Sequence, residues 1–135
     1  MKVVFADTGY WEAVLNPKDN LHAKARAISS NLGKARILTT EMVLDELLAA
    51  LSPPPERAIA ILGVDAICAN PNVEVVPQTS IQFREAFDLY KQMADKAWSL
   101  TDCASFVIMK TRGITEALAH DRHFEQAGFK ALLRD

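Results

Sequence analysis

The chain has no surplus of basic residues: 15 lysines and arginines stand against 17 aspartates and glutamates, giving a formal net charge of -2 and a pI near 5.9. That balance excludes a protein that holds nucleic acid by general basicity, so any polyanion must be gripped locally, by a few basic side chains or through metal ions. Cysteine is scarce too. Cys68 and Cys103 lie far apart, with no C-x-x-C spacing and no clustered histidines, which excludes a zinc knuckle or a disulfide framework and fits a reducing cytoplasm. No apolar stretch is long enough to span a bilayer, so no membrane partner is expected, and the start MKVVFADT reaches an acidic residue too early for a secretory signal. What is abundant is apolar material. At 135 residues, 50% of them hydrophobic, the chain can bury one sizeable core, and residues 1–135 are read as a single domain without repeats, low-complexity tracts or a linker.

Short β-like runs alternate with helical ones, the pattern of an α/β architecture. Lys2 to Ala6 reads as a first buried strand. Asp7-Thr8 then supplies N-cap chemistry for a short helix through Leu15, stopped by Asn16-Pro17. Leu21, Ala25, Ile28 and Leu32 mark one face of a second helix ending near Gly33, and Ile37 to Thr39 is a second strand. Thr39-Thr40 precedes an apolar helix from about Glu41 to Leu51, and the proline run at 53–55 opens another that reaches Ala69. Val73 to Val76 is a third strand, followed by helices over Ile81 to Met93 and Leu100 to Thr111, the latter closed by Gly113. Leu118 and its neighbours form a fourth strand, Asp121 to Ala127 a helical turn, and Ala131 to Leu133 a fifth strand.

Asp7, Glu46, Asp102 and Asp121 stand where such a chain places strand ends and the helices facing them, and strand ends of a parallel sheet open onto the crevice where ligands bind. Each has a structural reading beside the functional one. Asp7 and Asp121 are good N-caps, and Asp102 can serve the positive end of a helix capped by Ser99 or Thr101. Asp45 and Glu46 both border the apolar stripe Val43, Leu44, Leu47, Leu48 and Leu51, and periodicity leaves open which of them turns inward. The small or apolar residues Cys103, Ala104, Phe106, Val107 and Ile108 make the helix bearing Asp102 a largely buried one. A buried carboxylate costs several kcal/mol, as an order of magnitude, unless a cation meets it.

The segments Phe5-Ala6-Asp7-Thr8, Thr39 to Leu48, Ser99-Leu100-Thr101-Asp102-Cys103-Ala104-Ser105-Phe106 and Ala117 to Phe129 together resemble the PIN domain, in the expected order and over nearly the whole chain. Within that superfamily the chain is similar to the compact VapC-type ribonuclease toxins. The most specific parts are the Ser-Leu-Thr-Asp-Cys helix start and the Asp-Arg-His-Phe-x-x-x-Gly-Phe ending. The resemblance implies a three-layer α/β/α PIN-like fold with a central parallel sheet of four or five strands. It also implies that Asp7, Glu46, Asp102 and Asp121 are the catalytic, metal-holding acids. One departure is Ala119, where relatives often carry a threonine hydroxyl near the metal.

The activity so implied is metal-dependent hydrolysis of RNA phosphodiester bonds by the toxin of a toxin-antitoxin pair. The cofactor is Mg²⁺ or Mn²⁺, hard cations that prefer oxygen ligands. One ion would polarise the scissile phosphate and activate water, and a second would stabilise the departing 3′-oxygen. Lys110, Arg112 and Arg122, or Lys91 and Lys96, are candidates for flanking phosphates, as are His120 and His123. The partners the resemblance implies are RNA, a cognate antitoxin and a second copy of the chain; the helix from Glu41 to Leu51 and Trp11 offer apolar surface beside it, for which burial in the monomer's own core is the simpler account. Two alternatives stand beside this: a catalytically weak PIN-like module that binds RNA or protein, and a Mg²⁺-binding phosphotransfer-type α/β domain.

Overall fold

The structure, a computed structural model, describes residues 2–135. Its elements run in the order β1 (Val3–Ala6), α1 (Thr8–Leu15), α2 (His22–Ser30), β2 (Arg36–Thr40), α3 (Glu41–Ala50), α4 (Glu56–Ala69), β3 (Val73–Val76), α5 (Ser80–Gln92), α6 (Leu100–Arg112), β4 (Glu116–Leu118), α7 (Arg122–Gln126) and β5 (Lys130–Ala131). The strands form one sheet in the order β3-β2-β1-β4-β5, every neighbouring pair parallel. Helices flank the sheet in the expected α/β/α layers, α1, α3 and α4 packing on one another and α5 lying along α6.

β1 is the middle strand, and Val4, Phe5 and Ala6 are fully buried, as a strand covered on both faces requires. β2 and β3 lie to one side of β1 and β4 and β5 to the other, so the direction in which successive strands are added reverses beside β1. The crevice at the sheet's C-terminal edge opens at that reversal.

Polar contacts lock this edge. Asp7 N–H donates to Leu118 O at 3.1 Å, tying the end of β1 to the end of β4. On the other side Thr39 Oγ1 donates to Ala6 O at 2.9 Å, and the buried Trp11 indole N–H donates to the same Thr39 hydroxyl at 3.3 Å. The helices that start at this edge are capped by their own sequences. Thr40 Oγ1 accepts from Val43 N–H at the start of α3, and Ser99 with Asp102 forms a reciprocal capping box at the start of α6. Gly113 ends α6 in the left-handed region at φ 68°, where a side chain would be strained.

An aromatic cluster joins α6 to α7. Phe106 meets Phe124 edge to face at a centroid distance of 4.9 Å, and Trp98 meets Phe106 likewise at 4.9 Å. Each such buried ring contributes up to about 1.5–3 kcal/mol of burial, and the cluster holds Phe106, one turn after Asp102, and Phe124, next to His123.

The differences from the sequence expectation are at element ends. The second helix stops at Ser30, because Leu32 and Ala35 lie in a turn closed by backbone bonds to Ser29 and Leu32. β5 is Lys130–Ala131, not Ala131 to Leu133, yet Leu132 and Leu133 N–H still donate to Ala117 and Ala119 O, so the ladder runs on past the strand. The apolar stripe of α3 and Trp11 is spent in the core: Val43, Leu44, Leu47, Leu51 and Trp11 are buried, and Leu48 is left outside at 39% exposure. Among the described residues no helix is long and apolar enough to cross a membrane.

Candidate active site

The crevice beside the end of β1 is a cleft of about 380 Å³, and Asp7, Glu46, Asp102 and Asp121 all line it. Asp7 is delivered by the end of β1, Glu46 by the second turn of α3, Asp102 by the first turn of α6 and Asp121 by the loop after β4. Four segments remote in sequence thus converge on one mouth.

Asp7 takes the N-cap position of α1 but makes no side-chain capping bond. It is 7% exposed, and its carboxyl is pushed up to about 8 from 3.8, mainly by burial, and further by the charges of Asp102, Glu46 and Asp121, while the Thr8 backbone N–H pulls the other way. No cation neutralises it among the described residues. An acid held this far from its ordinary range by burial and like charge is a sign of a site built for something positive.

Glu46, and not the exposed Asp45, turns to the cleft, where Thr8 Oγ1 donates to Glu46 Oε1 at 2.5 Å. Asp102 Oδ2 accepts from Ser99 N–H at 3.1 Å and lies 2.9 Å from His123 Nδ1. Asp121 does cap α7, its Oδ1 accepting from His123 N–H at 2.9 Å, while its Oδ2 lies 3.2 Å from the same ring nitrogen. In Asp121 the capping and site readings fall to different oxygens, whereas in Asp102 the one oxygen Oδ2 serves both.

Two residues join that the sequence did not single out for the centre. Glu12 lines the cleft one turn after Thr8, its carboxyl raised by burial and by Asp19 and Glu46; the signal for it was the i, i+4 spacing from Thr8. His123 was placed among flanking phosphate binders, yet its ring stands inside the acid cluster, and donor atoms of Asp102, Asp121 and His123 all lie within 4.8 Å of one another. His120 lines the rim and is exposed.

Most basic candidates are occupied elsewhere. Arg112 forms a two-pronged pair with Glu74 at 3.0 and 3.2 Å, Lys91 faces Asp88 and Lys96 faces Asp95. Arg122 and Lys110 are exposed. Ala119, fully buried, does not line the cleft.

A divalent cation fits this donor set. The oxygens are carboxylates, the ligand class of hard cations, and the buried Asp7 carboxyl lacks a positive neighbour that the ion would supply.

The family model described as PIN domain matches residues 4–130. The 23S rRNA-specific endonuclease VapC20 of Mycobacterium tuberculosis is 28% identical over 127 residues, 94% of this chain and 95% of that protein. The crystal structure of VapC20, described as a sarcin-ricin loop cleaving toxin, superposes with a TM-score of 0.85 at 27% identity, covering 93% of this chain and 95% of the other. VapBC2 of Rickettsia felis, bound to a promoter DNA fragment, shares the fold with a TM-score of 0.68 at 12% identity over 96% of each chain. FitAcB of Neisseria gonorrhoeae does so with a TM-score of 0.66 at 13% identity over 95% of each.

Proposed function

The chain belongs to the PIN domain family, and from that premise we propose that it is a metal-dependent endoribonuclease of the VapC type, the toxin of a toxin-antitoxin pair acting in the cytoplasm, with residues 1–135 as its one domain. The observation that carries the proposal is the convergence of Asp7, Glu46, Asp102 and Asp121 on one cleft with the Asp7 carboxyl pushed up to about 8. Separate carboxylates held together against their own repulsion suit a cation, and the family match favours nuclease chemistry over the phosphotransfer alternative.

Asp7 and Asp102 would hold the ion directly, with Glu46 and Asp121 completing the site. Bound there, Mg²⁺ or Mn²⁺ supplies a Lewis acid for the phosphoryl oxygen and lowers the pKa of water at neutral pH. The chain's own residues do the rest. Thr8 fixes Glu46 by its short hydrogen bond, Ser99 holds Asp102 in the capping box, and the Phe106–Phe124 contact keeps α6 and α7 in register. In the overall reaction water adds to phosphorus, one P–O ester bond breaks, and the leaving oxygen takes a proton. Arg122, exposed in the first turn of α7 between Asp121 and His123, is the candidate for a flanking phosphate.

The relative VapC20 is named for 23S rRNA, which makes structured ribosomal RNA the first substrate to try. Purified protein is incubated with ribosomal RNA and with unstructured RNA in Mn²⁺, in Mg²⁺ and in EDTA. Cleavage that needs the ion and is lost in Asp7→Asn and Asp102→Asn supports the proposal; cleavage that survives in both variants refutes it. We also propose an inhibitory antitoxin, whose addition abolishes cleavage, and a homodimer through the exposed Leu48, Ile61 and Leu62 of α3 and α4. Light scattering checks the latter, with twice 14.9 kDa expected and a monomer at micromolar concentration counting against it.

A further inference from the structure

We propose that His123 Nδ1 is a direct metal ligand beside Asp102 and Asp121, and that it shifts the site's preference from Mg²⁺ toward a first-row transition ion such as Mn²⁺. The inference rests on the metal-dependent reading above and deepens it.

His123 Nδ1 sits 2.9 Å from Asp102 Oδ2 and 3.2 Å from Asp121 Oδ2, so one ring nitrogen faces two carboxylate oxygens at once. In an octahedral site with bonds of about 2.1 Å, adjacent ligand atoms lie about 3 Å apart, which is the spacing the ring nitrogen already has to each of the two oxygens. The ring is not free to choose another partner. Its side chain is 18% exposed, its backbone N–H is held by Asp121 Oδ1, and the next residue, Phe124, is fully buried in the aromatic cluster against Phe106.

A second observation points to the same place. Asp7 is 7% exposed, lines the same cleft, makes no capping bond and has Asp102, Glu46 and Asp121 as its charged neighbours. The local donor set is therefore oxygen-rich with one nitrogen. Mg²⁺ takes oxygen almost exclusively and keeps its waters, whereas imidazole nitrogen strengthens binding of transition ions.

The rival role is structural: His123 donating Nδ1–H to both carboxylates and holding α7 against α6. Pulsed electron paramagnetic resonance separates the two. The full chain loaded with Mn²⁺ is expected to show ¹⁴N modulation from one imidazole, unchanged in His120→Asn and lost in His123→Asn while Mn²⁺ still binds. Competition of Mg²⁺ against bound Mn²⁺ is expected to show the Mn²⁺ preference falling by about tenfold in His123→Asn. Wild-type protein that binds Mn²⁺ without nitrogen modulation overturns the assignment and leaves the metal-dependent reading standing, and this result needs no variant to fold. Modulation that persists in His123→Asn, or disappears in His120→Asn, overturns it as well. Protein that binds no Mn²⁺ at all overturns both.

Discussion

Replacing Asp7 by asparagine is predicted to stabilise the metal-free protein at neutral pH. Burial first, and then the neighbouring acids Asp102, Glu46 and Asp121, push the Asp7 carboxyl up to about 8 from 3.8. Between those two values the folded chain keeps a proton that the unfolded chain releases. The stability tied to this group is therefore complete below pH 3.8 and is lost progressively as pH rises toward 8. At pH 7 the gap is about three units at about 1.4 kcal/mol each, an upper bound of roughly 4 kcal/mol. Asparagine has nearly the same shape and carries no such charge. In EDTA, thermal melts followed by circular dichroism should give Asp7→Asn a Tm about 10 °C above wild type at pH 7 to 8, with the two curves meeting near pH 4. Saturating Mn²⁺ should narrow the gap, since a ligand at a hundred times its Kd adds about 2.7 kcal/mol to the wild type alone. Parallel Tm profiles for the two proteins across this pH range in EDTA would refute the account of Asp7 as a buried acid awaiting a cation.

Thr8→Val removes the 2.5 Å hydrogen bond that aims Glu46 at the cleft while keeping the side chain's shape; Mn²⁺ affinity by calorimetry should fall about 10- to 100-fold, and an unchanged affinity would show that Glu46 does not serve the ion. In Gly63→Ala the new methyl would run into Leu15 Cδ1 and lie 2.8 Å from its Cδ2, where α4 packs on α1. Urea unfolding should show a loss of about 1–3 kcal/mol. In a Leu15→Ala background the same change should instead gain up to about 1 kcal/mol from helix propensity.

The layered fold was readable because Phe5, Leu38 and Leu47 fall in runs whose periods differ between strand and helix, and because Thr40, Ser99 and Gly113 mark helix ends with local chemistry. The convergence of Asp7, Asp102 and Asp121 was suggested by their places at strand ends and facing helices, whereas the choice of Glu46 over Asp45 rested on the resemblance, since periodicity leaves those two equivalent. What separated them was tertiary, the hydroxyl of Thr8 reaching across from α1. The position of His123 inside the acid cluster was hidden for a similar reason. Its placement depends on Phe124 locking α7 onto α6, a contact between distant segments that no local pattern encodes. The extent of β5 was blurred because a two-residue strand is defined by its partner's hydrogen bonds and hardly by its own side chains.

The chain's two tryptophans are each tied to a segment that delivers an acid to the cleft. Trp11 is linked through Thr39 to the carbonyl that immediately precedes Asp7, and Trp98 immediately precedes Ser99, the partner of Asp102, while its own indole donates to Gln126 at 2.9 Å. Both rings are shielded from solvent. The molecule thus carries a pair of native fluorophores linked to the segments that bear Asp7 and Asp102, and emission recorded on unlabelled protein gives a titration signal for ion or nucleotide before any catalytic assay is set up.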